Sequence, residues 1–115
     1  MEKNVKVSML CEIYGELLTE KQRAFLNDYY NNDLSLSEMA ENYNITRQAV
    51  RDNIKKGENK LFELEEKLNI MENSRKREQK IAKVLSEITK LQTTSSDKQI
   101  FKTLEHVKKE LQILV

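Results

Sequence analysis

Arg47, Gln48, Arg51 and Asp52 fall within six residues of one another, and Lys55, Lys56 and Lys60 follow closely. These side chains have a definite chemistry. An arginine fork matches the acceptors of guanine, a glutamine amide matches adenine, and a carboxylate can accept from the amino group of cytosine. Lysines serve as point charges for phosphate oxygens. Steps of three and four place all seven on the outer face of one helix, with Thr46 in front of them as its N-cap. From Thr46 to Lys60 there are five basic and two acidic residues. The plainer reading of such a set is a solvated face charged for solubility. The Arg47–Gln48–Arg51 group favours contact with a ligand, because it sits beside a recognisable turn.

A second basic set, Arg75, Lys76, Arg77, Lys80 and Lys83, occupies the least apolar stretch of the chain. It could grip RNA or an acidic partner surface, or be an exposed helix face. Catalytic and metal chemistry find little to work with. His106 is alone, Cys11 lies on an apolar face where it is expected in the core, and neither has metal-ligand spacing to a partner. Nineteen acidic residues are scattered at surface spacing, and no glycine-rich phosphate loop is present. The expectation is a binding protein, not an enzyme, with no cofactor and no metal.

The elements that must position the first set read as a helix-turn-helix over Leu36–Ile54, LSEMAENYNITRQAVRDNI. Such a unit needs a small residue in its first helix so that the second packs close, and Ala40 supplies it. Asn44, four residues on, tolerates the positive φ of a tight turn. Ile45 anchors the turn, and Val50 faces back toward the first helix. The position three after Val50, where an apolar residue is expected, is Asn53, with Ile54 beside it. Thr46–Lys60 is then the recognition helix, whose N-terminal end approaches base edges in the major groove.

Around this unit the periodicity is helical throughout. Val7, Leu10, Cys11, Tyr14, Leu17 and Leu18 mark one face of a first helix. Thr19 and Gln22 form a capping box for a second, with Phe25, Leu26, Tyr29 and Tyr30 as its buried side. Asn31–Asn32–Asp33 stops it. Ser35 or Ser37 caps a third helix, Ser35 with Glu38 as a box, and Met39, Ala40 and Tyr43 form its inner side. The fourth helix turns Val50 and Ile54 inward and continues into a heptad-like seam of Leu61, Leu64, Leu68 and Met71. The interval 72–80 reads as exposed helix or hinge. Ile81, Val84, Leu85, Ile88 and Leu91 resume the seam, Gln92–Asp97 reads as a loop, and Ser96 or Asp97 caps a last helix carrying Ile100, Leu104, Val107, Leu111 and Leu114. The fold class is all-α, six helices, with a helix-turn-helix domain over residues 1–68 and a C-terminal helical extension over 69–115. The extension packs on the first domain or dimerises, and its surplus of apolar edges predicts a homodimer.

The whole chain is close to neutral at +1. Residues 1–68 carry ten basic and thirteen acidic side chains, while residues 69–115 carry ten and six. That is no general nucleic-acid coat, so any anion contact must come from local patches. One cysteine permits no internal disulfide and suits a reducing compartment. The N-terminus lacks the apolar core of a signal peptide, and no apolar run approaches the ~20 residues of a membrane span. The expected location is the cytoplasm.

Residues 18–68 resemble region 4 of bacterial sigma factors. That region shows an E-I-A or E-I-G step, then T-R-x-x-[IV]-R, then a basic run ending in Leu. The matching residues are Glu38–Met39–Ala40, Thr46–Arg47, Val50–Arg51 and Lys60–Leu61. Its base-reading positions fall on Arg47, Gln48 and Asp52. The chain is closer still to the YlxM family of helix-turn-helix proteins, in the segment LTEKQRAFLNDYYNNDLSLSEMAENYNITRQAVRDNIK and in overall length. This resemblance implies a sigma-region-4-like fold and a regulatory part in the signal recognition particle pathway. The partner expected from the side chains of the recognition helix is DNA, with the RNA or GTPase of that particle as the alternative.

Overall fold

The computed structural model describes residues 1–94 and 96–115. Among them are six α-helices and no strand: α1 Lys3–Tyr14, α2 Glu20–Leu26, α3 Leu36–Tyr43, α4 Arg47–Leu68, α5 Ile70–Thr94 and α6 Lys98–Ile113. The chain divides into two compact units, Met1–Met71 and Glu72–Val115. The first two residues of α5 therefore belong to the first unit.

Helices α2, α3 and α4 each begin at a side-chain cap. The Thr19 hydroxyl accepts from the Gln22 backbone N–H, and the Thr19 backbone N–H donates to Gln22 Oε1, each at 3.1 Å. Ser35, not Ser37, caps α3 through the same reciprocal box with Glu38. Between α2 and α3 the residues Asn27–Asn31 form one π-helical turn, and Asp33 takes a positive φ of 53°. The wider turn rotates Tyr29 outward, to 37% exposure, where a regular helix would have buried it. At the other end of the unit α1 stops at Tyr14 and passes through a 3₁₀ turn over Gly15–Leu17. The tighter turn leaves Leu17 exposed and buries Leu18 instead.

The core of the first unit is made by Val7, Leu10 and Tyr14 of α1, Leu18 just after the 3₁₀ turn, Phe25 and Leu26 of α2, Met39 of α3, Val50, Ile54 and Leu61 of α4, and Met71. Cys11, Ala40, Ile45 and Phe62 pack against it, half-buried. Tyr43 keeps its ring on Phe25, centroids 4.4 Å apart, while its hydroxyl donates to Asp28 at the surface. Gly57 lets α4 lie close against α2: a methyl group there would lie 2.9 Å from Leu26 Cδ1.

The expected seam from Leu61 through Met71 is not one continuous helix. Asn69 adopts a left-handed conformation, φ 53°, and ends α4. That reversal leaves Leu68 half-exposed and carries Met71 into the core. The amides that open α5 are satisfied from inside the first unit. Met71 N–H donates to Glu65 Oε1 at 3.0 Å and Ile70 N–H to the Tyr14 hydroxyl at 3.2 Å.

In the second unit α5 is helical across 72–80, and its buried residues are Ile81, Ile88 and Gln92, with Leu85 half-buried. Val84 and Leu91, expected in the seam, are exposed because the contacts fall on the 81–85–88–92 edge of the helix. The loop expected over Gln92–Asp97 begins later: Gln92, Thr93 and Thr94 complete α5, and Ser95 lies outside the described residues. Gln92 explains the extra turn. Its amide donates to the Phe101 carbonyl at 3.3 Å and to Glu105 at 3.0 Å, and its oxygen accepts from Lys108 at 3.4 Å. A buried polar side chain thus fixes how α5 and α6 meet. Asp97 caps α6 through the Gln99 and Ile100 amides.

Candidate nucleic-acid interface

The interface is built from the turn outward. Asn44 closes α3 in the left-handed region at φ 54°, ψ 48°. The Ile45 amide reaches back to the Ala40 carbonyl at 3.0 Å and the Asn44 amide to Glu41 at 3.3 Å, the two bonds that end a helix on a left-handed residue. Thr46 then accepts from the Ala49 amide at 3.0 Å and starts α4. The Asn53 departure has a local cause. Its side-chain amide, half-buried, donates to the Ala49 carbonyl at 2.8 Å, and Ile54 fills the buried position beside it.

Along α4 the predicted residues sort into two rows, each stepping by four. Arg47, Arg51 and Lys55 form one, and Gln48, Asp52 and Lys56 the other. All six are exposed, as is Thr46. The first row spans about 12 Å at 1.5 Å per residue, and none of its cations joins an ion pair among the described residues. Arg47, Gln48 and Arg51 line a shallow surface depression of about 410 Å³. Within the second row Gln48 donates to Asp52 at 2.9 Å, so two of the candidate base-reading groups hold each other. Lys60 stands apart: it is only half-exposed, and with Lys67 it helps hold the Glu63 carboxyl below its usual range, Lys67 contributing most.

The second basic set occupies α5. Arg75, Lys76, Arg77, Lys80 and Lys83 are all exposed, and Arg75 is paired with Glu72 at 3.0 Å, which raises its already high pKa.

Sequence reasoning passed over two carboxylates on the inner side of α4. Glu58 and Glu65 are almost fully buried. Glu58 accepts from the Tyr30 hydroxyl and pairs with Lys3 at 3.2 Å. Glu65 accepts from the Tyr14 hydroxyl at 2.7 Å. The signal was in the spacing, since Ile54, Glu58, Leu61 and Glu65 step by four, three and four along the apolar stripe. No group of three or more His, Cys, Asp or Glu side chains suited to a metal occurs among the described residues. No described helix is long and apolar enough to cross a membrane.

A capped helix, a left-handed Asn turn and a second helix presenting exposed cations define a helix-turn-helix protein. The family described as "Putative helix-turn-helix protein, YlxM / p13 like" matches residues 1–111. The chain is 38% identical, over its whole length and 93% of theirs, to UPF0122 proteins of Bacillus cereus strains AH187 and G9842 and of Bacillus thuringiensis subsp. konkukian strain 97-27. It belongs to the UPF0122 (YlxM/p13-like) family.

Proposed function

We propose that this chain is a nucleic-acid-binding regulatory protein of the cytoplasm, and that duplex DNA is the ligand of α4. The observation that carries the reading is the row Arg47–Arg51–Lys55, exposed and in no ion pair among the described residues, directly behind the turn. Arg47, Gln48, Arg51 and Asp52 are assigned to base edges, and Thr46, Lys55, Lys56 and Lys60 to the sugar–phosphate backbone. The role is binding, not catalysis. The test is retention of a mixed-sequence DNA duplex at low salt. Arg47→Ala relaxes sequence preference, and Lys56→Ala weakens all sequences alike. If neither changes retention, the DNA reading fails.

A second reading rests on the exposed cations Arg75, Lys76, Arg77, Lys80 and Lys83 of α5. In it the chain is an accessory factor that binds the RNA or the GTPase of the signal recognition particle, the pathway implied by the family resemblance. Co-migration of the purified chain with either component supports it, and no shift at micromolar concentration counts against it.

Homodimerisation is part of the same proposal. Val84, Leu91, Ile100, Phe101, Val107 and Leu114 of the second unit are exposed apolar residues. Pairing two copies through that unit would present two recognition helices. A concentration-independent monomer mass in sedimentation would sink this.

A further inference from the structure

The row Arg47–Arg51–Lys55 does not end at the outer face of α4. Arg51 lines the shallow depression with Arg47 and Gln48, and it also lines a separate groove of about 330 Å³ on the other side. That groove lies between the start of α1, the π turn, the start of α3 and the middle of α4. Its walls carry Lys3, Asn4, Tyr29, Arg51 and Lys55, and its lining includes Tyr30, Leu36, Ile54 and Glu58. Every wall side chain named has a hydrogen-bond donor, and three are cations. The one carboxylate, Glu58, is almost fully buried and already engaged by Lys3 and the Tyr30 hydroxyl. Lys3 itself remains 63% exposed at its side chain despite that pair. Tyr29 is turned toward solvent by the π turn, and no hydrogen bond occupies its hydroxyl among the described residues. The concavity is therefore rich in donors, with a net charge of +2 from Lys3, Arg51, Lys55 and Glu58.

We infer that this groove is a second nucleic-acid contact, which holds the phosphodiester backbone beside the major groove while α4 addresses the bases. Lys3, Asn4 and Tyr29 supply the far wall, and Arg51 and Lys55 the near one. Arg51 bridges the two surfaces, which sets the register between backbone grip and base contact. Phosphate contacts of this kind position a reader and carry no sequence information of their own. The inference rests on DNA as the ligand of α4 and adds contacts contributed by α1 and the π turn.

The test is the salt dependence of binding to a mixed-sequence DNA duplex. Each phosphate contact contributes about 0.9 to the slope of log affinity against log salt. Lys3→Gln lowers that slope by about 0.9 and weakens all sequences alike, leaving sequence preference unchanged. Lys3→Arg keeps both the charge and the pairing with Glu58, and retains the slope. Asn4→Asp leaves the Lys3–Glu58 pair in place, adds a negative charge to the groove and weakens binding. Thermal melts of each variant separate a lost contact from a lost fold. If Lys3→Gln and Asn4→Asp are folded and bind with wild-type slope and affinity while Arg47→Ala still relaxes preference, the groove assignment is overturned and the α4 reading stands. If the unmodified chain fails to retain duplex DNA at low salt, the reading of α4 falls, and this inference with it.

Discussion

Tyr14 and Glu65, 51 residues apart, meet in the core of the first unit, where the tyrosine hydroxyl donates to the carboxylate at 2.7 Å. The same two groups receive the amides of Ile70 and Met71. One buried pair thus ties α1 to α4 and also supplies partners for the exposed donors that every helix start leaves behind. Removing the hydroxyl leaves the Ile70 amide without its acceptor and Glu65 without one of its donors. Tyr14→Phe is expected to lower unfolding free energy by about 1–3 kcal/mol, the cost of stranding buried polar groups. Urea titration followed by circular dichroism measures it. A loss indistinguishable from zero would show that water replaces the hydroxyl.

Alkaline pH reaches the same contacts. Burial, then the bond to Glu65, holds the Tyr14 phenol above its usual range. Burial, then Glu58, does the same for Tyr30, and the bond to Asp28, then burial, for Tyr43. A folded-state pKa above the unfolded one favours the neutral phenol. Its contribution is complete below about pH 10, the unfolded value, and is lost as pH rises through the folded values. The melting temperature should therefore fall above about pH 10. Tyr14→Phe and Tyr30→Phe should each flatten that fall while lowering the starting value.

Gly57 sets how closely α2 lies against α4. A methyl group there would stand 2.9 Å from Leu26 Cδ1 and 3.1 Å from Cγ, and Leu26 is wholly buried with no open side to turn toward. Alanine would gain about 1 kcal/mol of helix propensity, against about 1–3 kcal/mol for overpacking. Gly57→Ala should lose stability by about 1 kcal/mol net, and Gly57→Val more. Trimming the neighbour relieves the collision, so the combination with Leu26→Val should cost less than the sum of the two changes.

Asp52 is the acidic member of the outer face of α4, and Gln48 already donates to it. Asp52→Asn keeps an acceptor for Gln48 and removes the charge. Binding to a mixed-sequence duplex should strengthen about fivefold, the size of a ~1 kcal/mol Coulomb effect at short range in water. Fluorescence anisotropy measures it. Sequence preference should relax at the same time, as the assignment of Asp52 to a base edge requires; an unchanged preference would remove Asp52 from the base-reading set.

Much of this fold was legible because its signals are local. The boxes at Thr19–Gln22 and Ser35–Glu38, the left-handed Asn44 and the Thr46 cap each depend on residues within a turn of one another. Periodicity located the helices for the same reason. What escaped were features decided by neighbours distant in sequence or by small changes of helical pitch. The π turn after Leu26 shifted Tyr29 outward, and Asn69, read as part of a continuous helix, ended α4. Gln92 read as loop by composition, yet its partners Phe101, Glu105 and Lys108 on α6 hold it in α5. At the candidate site the cations of α4 were visible from their types and spacing. The groove was not, because Lys3 and Tyr29 join it only once the chain has folded.

The lysine–glutamate pair at the start of α1 changes how the charge of the first unit should be reckoned. Added along the sequence, the acidic groups outnumber the basic ones. Two of those acids, Glu58 and Glu65, are turned into the core, where tyrosine hydroxyls hold both and Lys3 also neutralises Glu58. Two carboxylates of the helix, Glu58 and Glu65, thus lie inward, while Arg47, Arg51, Lys55 and Lys56 lie outward with Asp52 as the one acid among them. A polyanion approaching α4 meets a more positive surface than the isoelectric point of the chain conveys.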